Sequence, residues 1–191
     1  MPFDYPPNVN FLDLWREKLF LGQEFLSWLW LTSEMDSRFP GPNGSTIEVR
    51  FEKKLTLETG QGLSRSQVAC QNPDNDWTEG FVALGLGKKI VKAQLTIRAE
   101  GLECSLALPA DTLGPQSVKI ATSSEVVDDE GPLGQAGRFL NKVALLVSLK
   151  AIIDHLFLSF LKVRLAEDWP TNELTKLKEF LEPWLLSQEP S

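Results

Sequence analysis

His155 is the only histidine in a chain of 191 residues. A single imidazole cannot build a histidine cluster for zinc, and it leaves a Ser-His-Asp arrangement no choice of base. Its place in an apolar, helically spaced stretch predicts a structural role. Cys70 and Cys104 are the only thiols; they lie far apart and form no CxxC pair. "LGLGKKI" resembles a phosphate loop only in part, because Val82 stands where GxxxxGK needs its first glycine before Gly87 and Lys88. Carboxylates are plentiful (Glu48, Glu52, Glu58, Asp74, Asp76, Glu79, Asp128, Asp129). None forms, with partners on one strand, the set a nuclease metal requires, so they read as a solvated surface. The residue types predict a protein that is not an enzyme and needs no metal, nucleotide or other cofactor.

The cations are grouped. Lys88, Lys89 and Lys92, with Arg98 further along the same strand, flank the end of one element and the start of the next. Arg138, Lys142, Lys150, Lys162 and Arg164 are opposed within 138–166 only by Asp154. Lysines at a helix C-terminus offset the helix dipole. The same lysines could instead place mobile charges near phosphates, and both readings stay open. A net charge of −7 argues against a surface that embraces nucleic acid on all sides. Trp28 and Trp30 could stack on bases, but their large apolar neighbours predict burial.

The elements that must position these groups follow from periodicity. Hydrophobic content of 42% and charged content of 24% are those of an ordinary globular protein, and the length allows an extensive core without disulfide staples. Residues 1–18, opening "MPFDYPPNVN", read as a Pro-rich N-terminal arm and lead-in, with no basic-then-apolar leader pattern. A reducing cytoplasm is the expected compartment. "FLGQEFLSWLWLTSE" is too short an uncharged run to span a bilayer. It predicts a buried helix from Gln23 to about Met35, capped by Gly22, with Gln23, Glu24 and Ser27 outward and Glu24 suited to the N-terminal dipole. "RFPGPNGS" reads as a loop. "STIEVRFEKKLTLETG" alternates as a half-buried strand with an irregularity at Lys53-Lys54. "SQVAC" is a short strand, and "DNDWTEGFVALGLGKK" a helix ending at Gly85 or Gly87. Ile90–Ala99 and Leu102–Leu108 form a hairpin turning at Glu100-Gly101. An acidic linker covers about 122–137. A helical C-terminal part, 138–187, comprises a long helix Arg138–Leu165, expected at the centre of the core, and a last helix from Thr171 to about Leu186. In the long helix Lys142, Lys150, Asp154, His155 and Lys162 interrupt the apolar residues, which argues against a membrane. The expected class is α+β: an antiparallel sheet with hairpins, packed against a long C-terminal helix and additional helices, in one domain over 19–191.

Three stretches together resemble the recombination-associated RdgC family. "LGQEFLSWLWLTSE" is similar to a family helix of the form LGxEFLxWLWxxSE. "ALGLGKKIVKAQLTIRAEGLECSLAL" is similar in its helix end, GKK turn and strand pair, and "GRFLNKVALLVSLKAIIDHLFLSFLKVRL" in its closing helix. The resemblance touches much of 19–165. It implies a non-catalytic, sequence-independent duplex-DNA-binding protein of the cytoplasm or nucleoid that modulates recombination and works as a dimer. The family's full-length members are longer and carry an N-terminal half that this chain lacks. Lys88, Lys89 and Lys92 match the family's basic turn as DNA contacts; Arg98, Arg138, Lys142 and Lys150 join them on charge alone. The second function class is a non-catalytic protein-interaction module that uses the acidic surface and apolar helices.

Overall fold

A computed structural model of the protein describes residues 18–59, 66–71, 77–99, 101–121 and 132–186. The expected arm and most of the expected acidic linker lie outside the described residues. The fold is α+β. Helix α1 (Lys18–Met35) is followed by β1 (Arg38–Pro40), β2 (Thr46–Thr59), β3 (Ser66–Gln71), helix α2 (Thr78–Gly85), β4 (Lys89–Ala99), β5 (Leu102–Pro109) and β6 (Gln116–Ile120). Helices α3 (Pro132–Arg164) and α4 (Glu173–Leu186) close the chain.

All strand pairings are antiparallel, in the order β1-β2-β4-β5-β6, with β3 beside the far half of β2. Period-two alternation gives the sheet two unlike faces. Ile47, Val49, Leu55 and Leu57 of β2, Ala93, Leu95 and Ile97 of β4, and Cys104, Leu106 and Leu108 of β5 are buried on one of them. Cross-strand partners such as Leu95↔Leu106 and Val49↔Ile97 bring these rows together. Glu48, Arg50, Gln94 and Arg98 alternate with them on the other. The irregularity expected at Lys53-Lys54 is present: Phe51 pairs Leu95 and Leu55 pairs Ala93. Four steps on β2 thus oppose two on β4. Because that surplus is even, Leu55 stays on the buried face.

Helix α1 fills the role that sequence assigned to the long helix. Phe25, Leu26, Leu29 and Trp30 are within 1% of full burial. Its two inner tryptophans serve different flanks: Trp28 lies 5.5 Å from Phe160 of α3, whereas Trp30 stacks on Phe81 of α2 at 4.7 Å. Phe81 in turn meets Phe180 and Trp184 of α4. The expected start at Gly22 is corrected, since α1 begins at Lys18 and Gly22 is inside it. A Cβ on Gly22 would come within 1.8 Å of the Ala110 carbonyl oxygen, so this glycine serves close backbone approach and not capping. Glu24 is therefore past the first turn, where it accepts from Arg164 Nε at 3.0 Å instead of answering the helix dipole.

Two further expectations are corrected, and one strand is added to those expected. The Pro-Gly loop contains β1, whose Phe39 pairs Ile47 and packs at 5.8 Å from Trp28. Strand β6 was not legible, being short and largely exposed. Helix α3 starts at Pro132, before Arg138, and is not central to the core along its whole length. Leu149, Ile153, Leu156 and Phe160 are buried, but Phe139, Leu140, Val143, Leu146 and Val147 are exposed. The stretch Phe139–Arg164 is also long and apolar enough to cross a bilayer by length and composition, although its charges had argued the other way. In α4, Leu177 and Leu181, one turn apart on the same face, are buried.

Candidate nucleic-acid interface

The lysine trio owes its position to the end of α2. Leu86 N–H bonds to Val82 O, Gly87 N–H to Leu84 O and Lys88 N–H to Ala83 O, so the last carbonyls of the helix are used. Gly87 takes φ 87°, a left-handed value that glycine adopts without a Cβ penalty and that turns the chain out of the helix. Lys88 follows at once, and Lys89 opens β4. Lys92 is exposed and its Nζ donates to Gln116 Oε1 at 3.0 Å, a neutral acceptor that leaves the charge in place. Among the described residues no carboxylate pairs with Lys88, Lys92 or Lys142.

The other cations do not join the trio. Arg98 is six residues beyond Lys92 on the same strand, which is about 20 Å of extended chain. Its guanidinium is held between Glu103 (2.8 Å) and Glu48 (3.5 Å). The hydrogen bond from Arg98 keeps the Glu103 carboxyl below its ordinary range, and the same bond raises Arg98. Lys150 is paired with Asp154 one turn on. Lys142 is exposed on α3, and Arg138 lies on the backbone of that helix with its side chain outside the described residues. Leu145, Ser148 and Ile152 of α3 share a groove with Ala99, Gly101 and Leu102, so the middle of α3 lies at the hairpin-tip end of the sheet. The trio lies at the opposite end of β4. Arg98, and Lys150 on the middle of α3, are thus separated from the trio by the length of β4.

Sequence reasoning also missed a polar cup on the open face of the sheet. It has a volume of about 430 Å³ and is lined by Glu52, Gln94, Ser105, Ser117 and Lys119 among others. Thr96 Oγ1 donates to Glu52 Oε1 at 2.7 Å and shares a second 2.7 Å bond with Ser105 Oγ. The register Ser105↔Lys119 completes this row, and only knowledge of β6 could have revealed it.

His155 has the structural position its sequence context predicts. With a carbonyl as acceptor, its Nε2–H must donate to Pro40 O, at 3.0 Å, and this ties α3 to β1. Cys70 and Cys104 are both buried and free, and desolvation pushes both thiols up, away from nucleophilic character. Among the described residues no group of three or more His, Cys, Asp or Glu could hold a metal ion.

One carboxylate carries a pH signature. Burial raises the pKa of Glu34 above its ordinary 4.5, opposed by the 3.1 Å bond it accepts from Trp30 Nε1. A carboxyl raised in the folded state binds its proton more tightly there than in the unfolded chain. Stability is then greatest below the unfolded pKa and falls as pH rises from there through the folded value. Glu34→Gln, which keeps an acceptor for Trp30, should remove that decline. Denaturant midpoints measured from pH 4 upward check it; an unchanged pH slope would refute the assignment.

No family model, curated protein or solved structure matches the chain.

Proposed function

We propose that the chain is a non-catalytic, sequence-independent DNA-binding protein of the RdgC type. One observation carries this reading: the three stretches that resemble the family are also packed on one another. The first forms α1, which lies on β4 from the second and against α3 from the third, through Phe25 to Phe157 at 5.3 Å and Trp28 to Phe160 at 5.5 Å. The GKK turn stands at the rim of that core with Lys88, Lys89 and Lys92 in sequence around it.

Such a patch binds weakly. Lysine has no planar fork for base edges and acts as a point charge on phosphates, so affinity is blind to sequence and falls steeply with salt. A mobility shift with duplex DNA of arbitrary sequence at low and moderate salt tests the reading. The Lys88→Glu, Lys89→Glu, Lys92→Glu variant should lose affinity for all duplexes alike, with a log-log salt slope flatter by about 1 per lost contact. Parent-like shifts by that variant would overturn the patch, and absence of binding by the parent at low salt would overturn the function.

A second reading has its own observation. The exposed apolar half of α3, on an acidic protein, suits a protein-interaction module that never touches DNA. Capture of duplex DNA at low salt counts against it.

A further inference from the structure

The polar cup on the open sheet face is walled by opposite charges. On its β2 side Glu52 accepts from Thr96 Oγ1, and among the described residues no cation pairs with it. On its β6 side Lys119 likewise meets no carboxylate among the described residues. The row between them is oriented. Thr96 is only 8% exposed and has a single hydroxyl proton, which goes to Glu52, so the bond it shares with Ser105 takes its proton from Ser105. Ser105 Oγ is left with lone pairs only. One side of the cup therefore accepts, through Glu52 and Ser105, and the other donates, through Lys119 and the Ser117 hydroxyl.

The donating wall is built on strained backbone. Two steps on β5, Ser105 to Ala107, oppose three on β6, Lys119 to Gln116, which is a β-bulge. It brings Ser117 to the cup beside Lys119. Ser117 takes φ 51°, a left-handed value that glycine adopts freely and serine does not. Strain of this kind collects at binding sites. A glycine here would relieve it and remove the hydroxyl.

We propose that the cup binds a short peptide, two or three residues long, by its free ends, with the ammonium on Glu52 and Ser105 and the carboxylate on Lys119 and Ser117. The volume of about 430 Å³ is that of a small-ligand site. Charge separation sets the length. The order β2-β4-β5-β6 puts Glu52 and Lys119 three strand spacings apart, about 14 Å of sheet. A charge-assisted contact of about 3 Å at each end leaves about 8 Å, which two or three residues of extended chain span. A single amino acid is too short to meet both walls. A nucleobase finds no aromatic ring among the lining residues to stack on. Leu95 and Leu106 keep their side chains in the core, so an apolar ligand finds little there, and a simple anion leaves Glu52 unanswered. The inference concerns the cup alone and does not rest on DNA binding.

Equilibrium dialysis of the full chain with radiolabelled dialanine and trialanine tests it. One or both should bind, and blocking either end, by N-acetylation or by C-terminal amidation, should weaken binding at least about tenfold. In Glu52→Gln the acetylated and free peptides should bind alike; in Lys119→Met the amidated and free peptides should. Ser117→Gly should raise the thermal midpoint while weakening peptide binding, a pairing that a purely structural serine would not give. Circular dichroism checks that each variant is folded. No binding of either peptide at millimolar concentration, or blocked peptides that bind as the free ones do, overturns the proposal. Inorganic phosphate that binds as tightly as the peptides makes the cup a simple anion site and overturns it as well. A parent that binds peptide but no DNA leaves this inference standing and defeats the DNA reading.

Discussion

Replacing Trp30 with alanine should lower the unfolding free energy by about 3–5 kcal/mol, the largest single loss expected of any side chain in this protein. Trp30 is fully buried and joins α1 to both α2 and β2. It stacks on Phe81 at 4.7 Å with an 8° interplanar angle, meets Trp77 edge-on at 5.5 Å and lies 6.4 Å from Phe51 of β2. Truncation would open a cavity among groups on α1, α2 and β2 that are tied to separate backbones and cannot all collapse inward. It would also strip Glu34 of its indole donor. Leu86→Ser, at 71% exposure, is the matched control and should be close to neutral. Urea denaturation of the two variants beside the parent checks the contrast. A Trp30→Ala midpoint indistinguishable from the parent would mean that α1 is not the centre of the core.

The second large effect is expected from the smallest change. Gly22→Ala adds one methyl group, yet that methyl would stand 1.8 Å from the Ala110 oxygen and 2.8 Å from its carbonyl carbon. Those atoms are backbone at the end of β5 and cannot rotate aside. Ala110 is itself held by an N–H bond to Val91 O at 2.8 Å. The helix must therefore shift away from the sheet, at a cost at the upper end of the overpacking range, about 3 kcal/mol. Gly137→Ala in α3, where a Cβ meets nothing within 4 Å, should instead stabilise by up to about 1 kcal/mol through helix propensity. Opposite signs for the same substitution in two helices are the outcome to look for by thermal or chemical unfolding. A neutral Gly22→Ala would mean that α1 stands further from the sheet than a 1.8 Å Cβ contact implies.

The lysine trio stands at the α2 end of β4 and the middle of α3 at the hairpin tip, so a variant on one surface should leave the other intact.

Local pattern by itself determined most of the elements. Strict alternation through Ile47, Val49 and Phe51 determines a strand with one buried face whatever it pairs with, because the side-chain period of a strand is two. The hairpin turning at Gly101 and the helix ending near Gly87 follow from backbone conformations that glycine adopts freely. The burial of Trp28 and Trp30 follows from the density of large apolar side chains around them. The fold class was legible for the same reason, since each of these features is set within a few residues of chain. Only the tertiary structure decided which helix is central. Apolar content is greater in α3 than its own contacts use, and α1 takes the centre because Gly22 lets it approach the sheet while its two tryptophans reach opposite flanks. Nor could charge counting along the chain find that Arg98 is held by Glu48 and Glu103. Sequence gives the sign and order of charges, whereas screening and pairing depend on distances across strands, and those are set by register and packing.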